Sequence, residues 1–466
     1  MKVVSVILLA IIITISVSSC KKDTFITSKN ASLSLSSDTL YFDTVFTTTG
    51  SVTGAFKIFN NNNQKLLLSN VQLMGGANSF FKLNLDGLPG TSFNNQTIDA
   101  NDSLYGYVSV SINATNEDTF FIRRDSIRIT YNGDTSWLQL VAYGHNANFI
   151  KTTEIKNDTT WTNKLPIVLL GDVTVDSGKT LTIQKGTKVY ANAKASLIIK
   201  GTLNAVGDTT NRIIFRCDRL DAPYNSFPGS WPGIYFTASS SNNFMQYCTI
   251  LNGYNGVSVT GPAATSTPVL TLDKCIISNI YNIAVGAASS SINATNCLIT
   301  NSASNINITE GGTYTFDQCS VVSYDNSYVS HTNPVVSISN TDSYNILYPL
   351  SCTFNNSILY GLSSLVTNEV VFAKTVTSAN VSFNNILYKN KVDIAPYVKL
   401  NFFCQVNVIP QFSNIDLSNL FFDFRPANTG SNPILKAGAT TNLLTDLDGR
   451  PRPATKPDLG CYQLAQ

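Results

Sequence analysis

Histidine occurs only twice in the 466 residues, as His145 and His331. That scarcity argues against a histidine-rich metal centre and against a His-based catalytic triad. Charge is sparse as well: charged residues make up 13%, and 31 Lys+Arg nearly balance 29 Asp+Glu. With no basic stripe or polybasic cluster, nucleic acid and anionic membrane surfaces are poor partners. No C-x-x-C pair is present, which removes the strong zinc signature. Ala/Glu/Lys/Leu periodicity of the helical kind is missing too. Polarity comes from Asn, Ser and Thr, and the aromatics are dominated by 20 Tyr and 25 Phe. This composition suits strands, turns and neutral hydrogen-bonding surfaces, and the expected class is all-β.

A cysteine recurs at a constant interval in near-identical surroundings: Asp273-Lys274-Cys275-Ile276-Ile277, Thr295-Asn296-Cys297-Leu298-Ile299 and Asp317-Gln318-Cys319-Ser320-Val321. Both steps are 22 residues (297 − 275 and 319 − 297). One short β-run per period, preceded by polar residues, describes a coil that stacks its strand on the equivalent strand below, a parallel β-helix. Gln246-Tyr247-Cys248-Thr249-Ile250 reads as another rung, and Cys352 occupies a similar context. Stacking at about 4.8 Å places these cysteines at one inward position. Parallel Cβ vectors favour buried free thiols over bridges, although an exported chain with eight cysteines after Cys20 leaves both readings open.

The first 20 residues read as an export signal: Lys2, an apolar run from Val3 to Val17, then Val17-Ser18-Ser19-Cys20. The run is too short for a spanning helix, which needs about 20 residues. The ending resembles a bacterial lipobox, and the resemblance implies lipidation of Cys20 and an outer-membrane lipoprotein on the cell surface or periplasmic face, attached to the membrane through its lipid alone. A tether follows over residues 21–32.

Residues 33–148 show short alternating runs (Ala55-Phe56-Lys57-Ile58-Phe59, Tyr105-Gly106-Tyr107-Val108) separated by Asn60-Asn61-Asn62-Asn63, Gly75-Gly76 and Asn132-Gly133-Asp134. Such spacing predicts a β-sandwich. The order of β-run, Asn-rich turn, Leu-rich strand and Gly-Gly resembles immunoglobulin-like modules of the abnormal-spindle/hydin type, which are usually spacers or interaction domains. Residues 150–410 carry the β-helix, with 150–165 as a connection into the first coil and about ten coils in all. Here Gly178-Lys179-Thr180-Leu181-Thr182-Ile183, Lys185-Gly186-Thr187-Lys188-Val189, Leu197-Ile198-Ile199-Lys200-Gly201-Thr202-Leu203 and Trp231-Pro232-Gly233-Ile234 follow in order. The series is similar to the opening coils of secreted right-handed parallel β-helix proteins of pectate-lyase-like architecture. The tail, residues 411–466, contains Asp446-Leu447-Asp448-Gly449-Arg450-Pro451-Arg452-Pro453 and Asp458-Leu459-Gly460-Cys461-Tyr462-Gln463. It resembles the segment that closes many such proteins, with Cys461 and Gln463 as mild departures, and implies a C-terminal cap.

Polysaccharide lyases and hydrolases share this architecture, and their chemistry needs grouped carboxylates: a calcium cradle with a basic Lys or Arg, or a close acid pair. Between Tyr247 and Leu400 the carboxylates are few, and no evident pair falls on adjacent rungs. No cofactor or metal is expected, and Asp446-Leu447-Asp448-Gly449 lacks the further ligands of a calcium loop. Exposed Tyr and Trp beside Asn and Ser form good surfaces for neutral glycans, because sugar C–H faces stack on rings while amides bind hydroxyls. Tyr224, Phe227 and Trp231, and the later Tyr324, Tyr328 and Tyr344, are the candidate ligand-binding residues; packing of loops against the coils is the competing role for each. The expected function is a non-catalytic envelope protein that binds polysaccharide or a surface protein. A polysaccharide-degrading enzyme and a purely structural envelope component are the alternatives.

Overall fold

The computed structural model describes residues 24–46, 53–112, 121–261, 267–373 and 380–464. The expected export signal, residues 1–20, and with it Cys20, lie outside them. The chain divides into two compact units, Met1–Asn146 and Ala147–Gln466.

The first unit pairs two five-stranded sheets around one core. One sheet runs in the order Leu33–Leu35, Gly54–Asn60, Ser103–Val110, Phe81–Leu85, Leu88–Gly90, and the other Thr39–Phe46, Asp134–His145, Phe121–Tyr131, Leu66–Leu73, Ser92–Ile98. Thr39–Phe46 lies parallel to Asp134–His145, and every other pairing between these ten strands is antiparallel. Alternation explains the layering: Phe56 and Ile58, Leu83 and Leu85, and Val108 and Val110 point inward from the first sheet to meet Leu66, Leu68, Ile127, Ile129, Leu138 and Leu140 of the second. Glycine is required at 106, where any Cβ would overlap the inward Phe56 ring.

The second unit is a right-handed parallel β-helix with three faces. Its first face stacks eleven strands, from Asn148–Ile150 and Ile167–Leu169 to Leu387–Tyr388 and Gln405–Val406, all parallel. The second face begins at Thr153–Ile155 and the third at Thr159–Trp161, so residues 150–165 already form coil rather than a connection. Ile283–Thr295 and Ser304–Asp317 each serve both of these faces in one bent strand.

Two features of composition now have a cause. Six successive coils turn from the third face to the first through one residue in the left-handed region: Tyr247, Lys274, Asn296, Gln318, Asn356 and Asn385, with φ between 47° and 55°. Asparagine tolerates that region better than most non-glycine residues, and it fills three of these six turns. The inward position after that turn is a ladder: Ile213, Cys248, Cys275, Cys297, Cys319, Ser357, Ile386 and Cys404 follow one another by register. The eight described cysteines are all free. Cys352 is not a rung of this ladder, since it pairs with Tyr314 and Val381 on the third face.

The C-terminal segment caps a flank of the rod. Phe424, Ile434, Leu447, Leu459, Cys461 and Tyr462 pack on the outward residues of the first face, including Leu298, Val322, Tyr324, Ile358, Tyr360 and Leu387. Strands there are consequently buried on both sides, as at Ser320–Tyr324. Arg452 pins the segment to the coil turns, donating to Gln318 Oε1, Asn296 Oδ1 and the carbonyls of Asp458 and Gly460.

Candidate functional site

The corner between the first and second faces carries the chemistry-bearing loops. Short coil turns at Asn252, Asn279 and Asn301 form its floor, all with positive φ. Asn279 Nδ2 donates to Asn252 Oδ1 at 2.8 Å, and Asn301 Oδ1 accepts from the Tyr324 amide at 3.0 Å. Outside this ladder stand Tyr254 and Tyr281 on adjacent coils, their rings 5.5 Å apart and nearly parallel. Both are well exposed, at 46% and 56%.

Two loops frame the floor. The first leaves Ile213–Cys217 and returns at Ile234–Phe236. It descends along the corner, its Asn225 and Ser226 carbonyls accepting from Asn252 Nδ2 (2.6 Å) and Asn279 Nδ2 (2.7 Å). The second joins Ser320–Tyr324 to Val336–Ile338. They meet through aromatic rings, with Tyr224 5.3 Å from Phe227 and Phe227 5.5 Å from Tyr328. Arg219 stacks over Tyr224 at 3.9 Å while its guanidinium pairs with Asp221 at 2.8 Å. Four coil steps at about 4.8 Å separate the origins of the two loops, so the first reaches roughly 19 Å along the rod.

The second loop is held from beneath by a buried polar group that sequence reasoning did not assemble. His331 Nε2 lies 3.0 Å from Glu369 Oε1 and 3.1 Å from Oε2, with both side chains essentially inaccessible. Lys389 Nζ approaches the same carboxylate at 3.7 Å and donates to the carbonyls of Gly361 and Val366. The Val335 amide also donates to Glu369 Oε2. These residues sit at one corner on three successive coils, so the pairing follows from coil register. Gly361 makes room for it, because a Cβ there would overlap both His331 and Glu369.

Three of the six aromatic candidates thus come together at the corner: Tyr224, Phe227 and Tyr328. Trp231 does not join them. It bridges to Gly253 and is 2% exposed, its indole N–H satisfied by the Leu251 carbonyl at 2.8 Å, so it is a core residue where the chain re-enters the stack. Tyr324 is buried as well, since it ends a first-face strand and is covered by Phe412, Phe422 and Phe424 of the tail. Tyr344 is open to solvent at 83%, in the loop between Val336–Ile338 and Leu350–Asn355, away from this corner. Tyr254 and Tyr281 were missed; their one-per-coil placement beside Asn252 and Asn279 was the available signal.

Carboxylates at this corner are mostly committed. Asp221 is bound to Arg219 and Glu369 to His331. Asp325 accepts from the His331 amide. Asp218 is the exception in character: burial holds its carboxyl above the usual range, opposed by a hydrogen bond from Asn192. Among the described residues no group of three or more His, Cys, Asp or Glu is placed to hold a metal ion.

Residues 170–321 match the family model described as right handed beta helix region. No curated protein matches the chain. Among solved structures, a family 123 glycoside hydrolase from Clostridium perfringens aligns at 12% identity and a TM-score of 0.18, over 25% of this chain and 26% of its own. The ASH/PapD-like domain of human CEP192 aligns at 9% identity and a TM-score of 0.18, over 28% of this chain and 94% of its own. The catalytic domain of a GH87 alpha-1,3-glucanase in complex with nigerose aligns over 76% of both chains at 12% identity and a TM-score of 0.19.

Proposed function

We propose that this is a non-catalytic, exported envelope protein, anchored through a lipidated Cys20, whose β-helix recognises a glycan at the loop-framed corner. The observation that carries this reading is the convergence there of Tyr224, Phe227 and Tyr328 with the exposed Tyr254–Tyr281 pair. The exposed rings and hydroxyls form a surface suited to sugar C–H faces and hydroxyls, while the asparagine amides beneath hold the loop that carries Tyr224 and Phe227. The buried His331–Glu369 pair supports a positioning role, since it is closed to substrate and holds the loop that carries Tyr328. Screening the chain against a polysaccharide panel, scored for binding and for new reducing ends or unsaturated uronate, tests the reading. Binding without turnover, weakened by Tyr224→Ala and Tyr328→Ala, is the expected result; silence across the panel sinks it in favour of a surface-protein partner or a structural role.

One observation favours the enzymatic alternative. Asp218, its carboxyl raised chiefly by burial, lies in the loop that descends along the corner, and a raised carboxylic acid is one of the two groups that glycoside hydrolysis needs. Turnover abolished by Asp218→Asn would replace the binding reading with this one.

A further inference from the structure

The outer surface of one sheet of the first unit gathers aromatic, basic and amide side chains into one patch. Alternation turns Lys57, Tyr105, Tyr107, Ser109, Lys82 and Asn84 away from the core. Register sets them side by side, with Lys57 opposite Tyr105, Tyr107 opposite Asn84, and Ser109 opposite Lys82. The tyrosine rings lie 6.4 Å apart and only 18° from parallel, and each residue is about 40% exposed. Lys57 Nζ sits 4.4 Å from the Tyr105 centroid. Next to Tyr107 a groove of about 430 Å³ is lined by Thr53, Lys82, Asn84, Pro89 and Ser109. That volume falls at the lower end of the range for small-ligand sites, roughly 300–1,000 Å³. Asn84 Oδ1, at its floor, has no hydrogen-bond partner among the described residues.

We infer that this face binds an acidic polysaccharide, one whose sugars carry carboxylates. Charge selects the acidity: the outward side chains of these strands include two lysines and no carboxylate, and the described acids that flank these strands, Asp86 and Asp102, sit in turns at the strand ends. Geometry selects a sugar over a peptide. An extended peptide gains its affinity by adding to a sheet edge through main-chain hydrogen bonds, whereas this groove lies on a sheet face whose backbone is already paired. Rings, amide and hydroxyls on such a face suit pyranose C–H surfaces and hydroxyl groups.

Calorimetric titration of the full chain in detergent with tetragalacturonate at low ionic strength tests the inference. Its methyl ester and hexaglutamate serve as the neutral and peptidic comparisons. Tetragalacturonate should bind and weaken with added salt. Lys82→Gln should weaken it about threefold, and Tyr107→Ala about tenfold. Tyr224→Ala and Tyr328→Ala should leave it unchanged, which separates this surface from the corner whichever of the two fails. The inference is overturned if tetragalacturonate does not bind, if the methyl ester or hexaglutamate binds as well, or if Tyr107→Ala has no effect.

Discussion

Replacing Asp317 with asparagine should stabilise the β-helix at neutral pH and leave it little changed in acid. Asp317 lies in the polar row along the third face, between Thr295 and Asn355 by register. Its neighbours in that row satisfy one another: Thr295 donates to Asp273, Gln246 donates to Asp273, and Asn384 donates to Asn355. Asp317 Oδ1 has no partner among the described residues. The cation beside it, Arg452, directs its terminal nitrogens to Gln318, Asn296 and two carbonyls, leaves Nε without a partner among the described residues, and offers Asp317 only through-space attraction. Burial therefore dominates, and the carboxyl is pushed up from 3.8 to about 6.

The sign follows from linkage. Between pH 3.8 and about 6 the folded chain binds more protons at this site than the unfolded chain, so stability falls as pH rises through that window. The shift, 6 − 3.8 ≈ 2.2, corresponds to about 3 kcal/mol at 1.36 kcal/mol per unit. Asparagine cannot ionise and still offers an oxygen to the Gln318 amide. Urea unfolding of both proteins, followed by tryptophan emission, to which the buried Trp161 and Trp231 of the β-helix contribute, should show the variant's advantage growing from near zero below pH 4 to about 3 kcal/mol above pH 6. A difference that is flat with pH would refute the burial argument. A wild-type advantage growing with pH would show that Arg452 outweighs burial.

The other predictions concern the buried pair, the thiols and the corner. Glu369→Ala strands His331 and Lys389 without their carboxylate and should cost about 3–5 kcal/mol, measured by the same unfolding. Thiol titration in denaturant without reductant should find all eight cysteines from Cys217 to Cys461 reactive, and the folded protein should protect them, apart from the partly exposed Cys404. Burial raises the thiols of Cys248 and Cys297, which further slows their reaction in the native state. Tyr224→Ala with Tyr328→Ala should leave unfolding within about 1 kcal/mol of wild type, since both side chains are exposed, while weakening glycan binding at the corner.

The β-helix was legible because its signal is periodic. A 22-residue step with one inward cysteine per coil survives any uncertainty about turn length, and the register of Cys275, Cys297 and Cys319 repeats it. Legibility stopped where the outside of the rod is covered. Tyr324 reads as a loop aromatic, yet Ser320-Val321-Val322-Ser323-Tyr324 lacks polar alternation, the mark of a strand buried on both faces. A tail more than 85 residues further along supplies the cover, and nothing local announces it. Trp231 misled for a related reason: a large ring beside Pro232 and Gly233 looks like loop decoration, but the coil re-enters the stack at that residue.

The corner shows the complementary case, in which local reading finds residues and topology supplies their partners. His331 and Glu369 are 38 positions apart, and neither sits in a recognisable motif. In a stacked coil, however, a separation of one full coil becomes adjacency, and the coil that carries this loop is 38 residues long (Ser320 pairs with Ile358), so a residue of its loop faces the corner of the next coil. The same rule brings Phe227 to Tyr328 across intervening coils whose turns are short enough to let a long loop lie over them. Functional surfaces on such a rod are therefore to be sought where one corner carries long loops at both ends and short turns between. Here that pattern falls on the coils from Ile213–Cys217 to Ser320–Tyr324.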